Sequence, residues 1–73
     1  MLWVARDKDG RLYLHVSSEK PIREGDEWMG YSGGERSDFL SLPNDLYPEL
    51  TWGDEPVEVE IIRKRRIKKK ICG

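Results

Sequence analysis

Apolar and polar positions are arranged most regularly near the start of the chain. Leu2–Arg6 and residues 11–16 are β-prone runs that flank Asp7-Lys8-Asp9-Gly10, a turn sequence ending in Asp-Gly. The pattern predicts a β-hairpin. With a two-residue turn over Asp9-Gly10, Trp3 pairs with Val16 and Ala5 with Leu14. One face then carries Trp3, Ala5, Leu12, Leu14 and Val16, and the other carries Val4, Arg6, Tyr13 and His15. A four-residue loop over residues 7–10 shifts the partners but keeps the same faces. A three-residue loop sets Trp3 opposite His15, which burial disfavours unless a bulge restores the parity.

The pattern weakens further along. Residues 17–26 are polar, contain Pro21 and Gly25, and hold Ile22 as the lone apolar anchor, so they are expected as a connection along the sheet edge. Residues 27–31 read as a third strand in which Gly30 marks a bulge or a close backbone approach. Residues 32–38 read as a loop, and Phe39-Leu40-Ser41-Leu42 as a short strand that Pro43 ends. Asn44 or Asp45 can cap one short helical turn near residues 44–48, because Pro48 restricts Tyr47 and leaves no space for a longer helix. Leu46, Tyr47, Leu50 and Trp52 then fold down as a lid on the open sheet face. After a turn at residues 53–56, Val57-Glu58-Val59-Glu60-Ile61 alternates strictly and is a strand facing the core with Val57, Val59 and Ile61.

The expected fold is therefore mainly β: a small antiparallel sheet or meander of three to five strands, with at most one short helical turn. Its expected core is Trp3, Ala5, Leu12, Leu14, Val16, Trp28, Leu46, Leu50, Trp52, Val57, Val59 and Ile61. A chain of 73 residues with 37% hydrophobic and 37% charged positions builds one small domain. So short a core supplies roughly 3–5 kcal/mol without an added staple. Buried aromatic rings partly make up for this, each removing ~150–250 Å² from water.

Charge divides the chain in two. The net charge of −1 conceals fourteen acids in residues 1–60 against six bases, which leaves −8, followed by seven bases and no acid in residues 61–73. The boundaries are a compact acidic β domain over 1–62 and a basic C-terminal tail, expected to be flexible, over 63–73. Cys72 is the single cysteine, so neither an intramolecular disulfide nor a thiolate metal cluster is available, and a reducing cytoplasmic setting is expected. Leu2-Trp3-Val4-Ala5 meets Arg6 and Asp7 too soon for a signal-peptide core, and no stretch approaches the ~20 apolar residues of a membrane span.

Candidate chemistry is sparse. His15 is the lone histidine and lacks the orienting partner and co-ligands that acid–base or metal chemistry needs. Asp7-Lys8-Asp9-Gly10 opens like a calcium loop, but Leu12, Leu14 and Val16 follow in place of oxygen ligands, and turn chemistry accounts for Asp9 and Gly10. Gly30-Tyr31-Ser32-Gly33-Gly34 has no following Gly-Lys-Ser/Thr, so a hairpin loop is the simpler account than a phosphate cradle. No catalytic residue, metal or cofactor is assigned. Arg63, Lys64, Arg65, Arg66, Lys68, Lys69 and Lys70 form the one strong functional signal, a handle for RNA, DNA, an anionic surface or an acidic protein. The same run is also readable as a solvated end, or as a segment that folds back on the acidic body.

Trp3-x-Ala5-Arg6-Asp7-Lys8-x-Gly10-x-Leu12-Tyr13-Leu14, then Glu19-Lys20-Pro21, Asp26-Glu27-Trp28 and Leu46-x-Pro48-Glu49-Leu50-x-Trp52 form a spaced pattern over residues 3–61. In that spacing the chain resembles small uncharacterised proteins of gut bacteria and their phages. The resemblance implies an accessory or phage-derived intracellular protein with a compact β body, and it brings no activity with it. The leading functional expectation is a small non-enzymatic binding or regulatory module with a protein partner. The alternatives are a nucleic-acid-binding protein acting through the tail, an acidic inhibitor or mimic, and a homo-oligomer in which an edge strand completes the sheet of a second copy.

Overall fold

A computed structural model describes residues 1–60, and these form eight short strands: β1 (Leu2–Arg6), β2 (Leu12–Val16), β3 (Ile22–Glu24), β4 (Glu27–Met29), β5 (Tyr31–Ser32), β6 (Glu35–Arg36), β7 (Asp38–Leu42) and β8 (Val57–Val59). The fold is mainly β, and none of the described residues is helical. β7, β2, β1 and β8 lie in that order in a four-stranded sheet, while β3–β4 and β5–β6 are separate two-stranded ribbons. All pairings are antiparallel.

The first hairpin forms, but in the disfavoured register. Trp3 lies opposite His15, Ala5 opposite Tyr13 and Val4 opposite Leu14. The local cause is the turn. Gly10 N–H donates to the Asp7 carbonyl at 3.0 Å, and Asp7 N–H donates to the Arg11 carbonyl at 2.9 Å, enclosing a three-residue loop of Lys8, Asp9 and Gly10. Gly10 sits at φ +95°, as expected of a type I turn closed by a glycine bulge. Asp9 Oδ1 accepts the Arg11 N–H at 3.0 Å and fixes the loop further.

This register redistributes the side chains. Leu2, Val4, Arg6, Leu12, Leu14 and Val16 share one face, and Trp3, Ala5, Tyr13 and His15 share the other. The expected faces, with Trp3 and Ala5 beside Leu12 and Leu14, are therefore corrected. They assumed one wet side, whereas the sheet is partly covered on both. Val4, Leu12 and Leu50 form a buried cluster on the first face, with Leu14, Leu42 and Val59 packed against it. On the second, Ala5 and His15 are buried, and Trp28 of β4 shares the lining of a recess with His15.

Three expected core residues are exposed. Val16 sits at the end of β2, away from the 46–50 segment that covers its face, and Val57 stands on the three-residue edge strand β8. Leu46 points out because its segment is held by its backbone. Trp3, Leu14, Trp52 and Val59 are partly buried, while Ala5, Leu12, Trp28 and Leu50 are buried. Ile61 and the basic segment 63–73 lie outside the described residues.

In place of one helical turn, residues 43–50 make two consecutive tight turns, closed by Leu46 N–H to the Pro43 carbonyl at 3.1 Å and Leu50 N–H to the Tyr47 carbonyl at 3.0 Å. Tyr47 has φ +54°, which rules out a right-handed helix there. Arg6 holds this segment. Its Nε donates to the Leu50 carbonyl, Nη1 to Gly10 at 2.7 Å and Asn44 at 3.0 Å, and Nη2 to Leu46 at 3.1 Å and Tyr47 at 3.0 Å. All five guanidinium N–H groups thus meet backbone carbonyls.

The middle of the chain is also more regular than its polarity predicts. Residues 22–24, expected within a connection, form β3 and pair with β4 through the Gly25-Asp26 turn. The expected strand over 27–31 breaks at Gly30 into β4 and β5, and the expected loop over 32–38 holds the short β5–β6 hairpin. Gly30 is packed tightly: a Cβ there would lie 2.5 Å from Ser37 Oγ and 3.0 Å from Ser17 Cβ.

Candidate binding surface

β7 is an edge of the main sheet, and among the described residues no strand pairs with its outer side. Its side chains are unusually apolar for such a position. Phe39 is 56% exposed and Leu40 is 60% exposed, on opposite faces of the sheet. Edge strands that avoid sticking are usually short, charged, bulged or interrupted by proline. β7 carries Asp38 at its start and is followed by Pro43, but its centre is unguarded.

Beside β7, on the second face, lies a recess of about 80 Å³. Tyr13 and His15 from β2 and Phe39 from β7 form one wall, Trp28 and Met29 of β4 another, and the carboxyls of Asp7 and Glu27 complete the lining. The Tyr13 and Phe39 rings meet edge to face with centroids 5.4 Å apart. His15 lies 6.4 Å from Tyr13 and 6.1 Å from Phe39. The alternation of β2 places Tyr13 and His15 on one side of the strand, and the β2–β7 register sets Phe39 directly opposite His15.

Two buried titratable groups give the recess its electrostatics. His15 is 3% exposed, and among the described residues neither ring nitrogen has a hydrogen-bond partner. Burial lowers its pKa from the ordinary 6.5, so the imidazole is neutral at pH 7. Asp7 is 7% exposed and its Oδ1 accepts the Trp28 N–H at 3.0 Å. Burial is the largest influence on Asp7 and raises its pKa; the Trp28 hydrogen bond opposes this, and the nearby charges of Glu27 and Asp9 reinforce it. Asp7 and Asp9 thus serve the hairpin turn and its junction with β4. Among the described residues, no three His, Cys, Asp or Glu side chains gather as metal ligands.

A cation already rests on aromatic faces nearby. The Arg23 guanidinium lies 4.8 Å from the Trp28 ring centroid and 4.5 Å from that of Trp52, and the two indoles pack at 5.9 Å. A second, wider groove of about 420 Å³ opens on the first face, where Val4, Leu50, Val57 and Val59 meet Tyr47. The exposed ion pairs Lys8–Asp26, Arg11–Asp9 and Lys20–Glu55 add little to stability, since both partners of each remain in solvent.

Neither the recess nor the Arg6 clamp was expected from the sequence. His15 had been placed on the face opposite Leu12 and Leu14, and it does lie there; the unexpected part is that this face is covered. The legible signal was Asp7-x-x-Gly10, whose spacing suits a three-residue hairpin loop as well as a two-residue one. Arg63, Lys64, Arg65, Arg66, Lys68, Lys69 and Lys70, the expected polyanion contacts, lie outside the described residues. Among the described residues no helix is long and apolar enough to cross a membrane. Comparison with known proteins finds no matching family model, no similar curated protein and no similar solved structure.

Proposed function

We propose that this chain is a non-enzymatic binding or regulatory module of the cytoplasm that docks a partner protein along β7. The observation that supports this reading is the unpaired outer edge of β7, with Phe39 and Leu40 each more than half exposed. An extended segment of the partner adds to such an edge through main-chain hydrogen bonds, and the apolar side chains supply selectivity. The single cysteine is the support for a reducing compartment. A photo-crosslinking residue at position 40 of the full chain tests the reading in cells. A discrete protein should be captured there and lost when Phe39 is changed to Lys. Equal capture from a control position at Asp45 would remove the β7 edge as the docking surface. Sedimentation of the full chain at low micromolar concentration identifies the case in which the partner is a second copy.

A nucleic-acid reading is favoured by one observation, the seven bases within residues 63–70. Neutralising ~5–7 phosphates gives log affinity against log salt a slope of about −0.7 to −0.9 per contact. The −8 charge of residues 1–60 opposes a phosphate backbone, so the contact would fall to the basic segment alone. Replacing all seven bases by glutamine in the full chain abolishes the salt-dependent binding under this reading and leaves the β7 cross-link untouched.

A further inference from the structure

We propose that the recess between β2, β7 and β4 is a cage for an alkylated ammonium group, such as the head of a choline-type amine or a methylated lysine side chain. Three features converge on this ligand chemistry. The first is the wall of rings. Tyr13, His15 and Phe39 stand with centroids 5.4–6.4 Å apart, so a single cation can lie within the ~6 Å cation–π range of more than one of them. Trp28 also belongs to the lining, while its indole already carries the Arg23 guanidinium, 4.8 Å from the ring centroid.

The second feature is charge. Asp7 and Glu27 belong to the lining, and among the described residues no Lys or Arg does. Asp7 is almost wholly buried, so its attraction for a cation is weakly screened by water. A neutral His15 contributes a ring without opposing charge, whereas an imidazolium would repel the same ligand.

The third is size. The volume of about 80 Å³ is several times the ~10–15 Å³ that one water requires, so the recess has room for a group larger than a water molecule. An ammonium carrying methyl groups suits both the apolar rings and the acids, and among the described residues no group of three His, Cys, Asp or Glu side chains gathers to hold a bare metal ion.

This reading stands apart from the docking of a strand on β7, although Phe39 belongs to both surfaces. The test is a nuclear magnetic resonance titration of the full chain with choline chloride, beside its uncharged isostere 3,3-dimethylbutan-1-ol at matched ionic strength. Choline should shift the Tyr13, His15 and Phe39 ring signals saturably, with the alcohol at least tenfold weaker. Equal shifts from both would reduce the recess to an apolar crevice, and no shift from either overturns the proposal. Phe39→Leu, on the exposed rim, should weaken choline binding about two- to fivefold while leaving the amide spectrum folded. If Asp7→Asn proves unstable, Glu27→Gln on the surface of β4 serves in its place and should weaken choline but not the alcohol. Titration with Nε-trimethyllysine amide then separates the two sources: tighter binding than choline assigns the site to a modified protein, and weaker binding assigns it to a free amine.

Discussion

Trp3 lies directly opposite His15 across β1 and β2, and this one pairing decides which residues share each face of the sheet. It puts the histidine in the recess that Trp28 and Met29 also line, and moves Val4 beside Leu12 and Leu14. A shift of one residue would send His15 across to the side of Leu50 and turn Leu12 toward the recess. The register is held at one end by the Asp7–Gly10 turn and at the other by Ser17 N–H donating to the Met1 carbonyl at 3.0 Å.

Gly10 should therefore be intolerant of a side chain for backbone reasons alone. Its φ is +95°, and nothing lies within 4 Å of where a Cβ would stand. Gly10→Ala meets no clash, so the cost is the left-handed conformation, about 1–2 kcal/mol. Urea denaturation should show that loss, with Gly10→Asn milder. An unchanged midpoint in the alanine variant would mean that the turn is not the closed form described.

His15 predicts a stability that depends on pH. Its pKa is lowered in the folded protein, so the neutral form is favoured there and the unfolded chain takes up the proton first. The contribution is fully present above pH 6.5 and is lost as pH falls through that value toward the folded pKa. Asp7 works in the opposite sense: its raised pKa gives a contribution present below about 3.8 and lost as pH rises through the folded value. His15 is the only histidine, so urea midpoints should fall between pH 7 and pH 5, and His15→Phe should flatten that slope. Removing two unpartnered buried nitrogens should also stabilise the variant at pH 7 by about 1 kcal/mol. A slope that persists in His15→Phe would assign the effect to another group.

The strands were legible where periodicity or turn chemistry was strong. β1, β2, β7 and β8 coincide with runs of alternating or β-prone residues, and Gly30 marks the close approach that glycine in a strand suggests. What local pattern could not convey was the covering of a second face. Parity arguments choose between registers only when one face is wet, and here β4, expected as a strand, is paired with β3, whose sequence Ile22-Arg23-Glu24 is too short and polar to announce itself. Arg6 illustrates the same limit. Alternation set it beside Tyr13 and His15, whereas it lies on the Leu12 and Leu14 face, and its role depends on carbonyls up to 44 residues away. The recess is illegible for the same reason, since Asp7, His15, Glu27 and Phe39 meet only after β2, β4 and β7 are assembled.

Arg6→Lys should not behave as a conservative change. The guanidinium places five N–H groups on five carbonyls, and an ammonium offers three donors from a single point. Several of these contacts are solvent-accessible, so the expected loss is about 2–3 kcal/mol and not the sum of five buried bonds. Amide exchange should accelerate most at Leu46 and Leu50, whose turns lose their tether. A loss below about 0.5 kcal/mol would show that Leu50 packing alone holds the segment.

Gly30 offers the sharpest test of packing, because its neighbours can be relieved one at a time. A Cβ at position 30 would stand 2.5 Å from Ser37 Oγ, and 3.0 Å from Ser17 Cβ. Ser17 is itself 1% exposed, with its hydroxyl 2.8 Å from the Tyr31 carbonyl and accepting the Tyr31 N–H at 3.1 Å, so it cannot retreat without breaking the link to β5. Ser37 is different: its Oγ is buried without a hydrogen-bond partner, and its removal forfeits nothing. Gly30→Ala should therefore cost about 2–3 kcal/mol, in the range of overpacking, and populate unfolded chain in so small a domain. Ser37→Ala alone should be neutral or slightly stabilising. The double variant should recover about half of the loss, because the nearer contact is gone while Ser17 Cβ remains. Strict additivity of the two changes in urea melts would mean that Ser37 Oγ swings aside freely and that Ser17 alone limits the site.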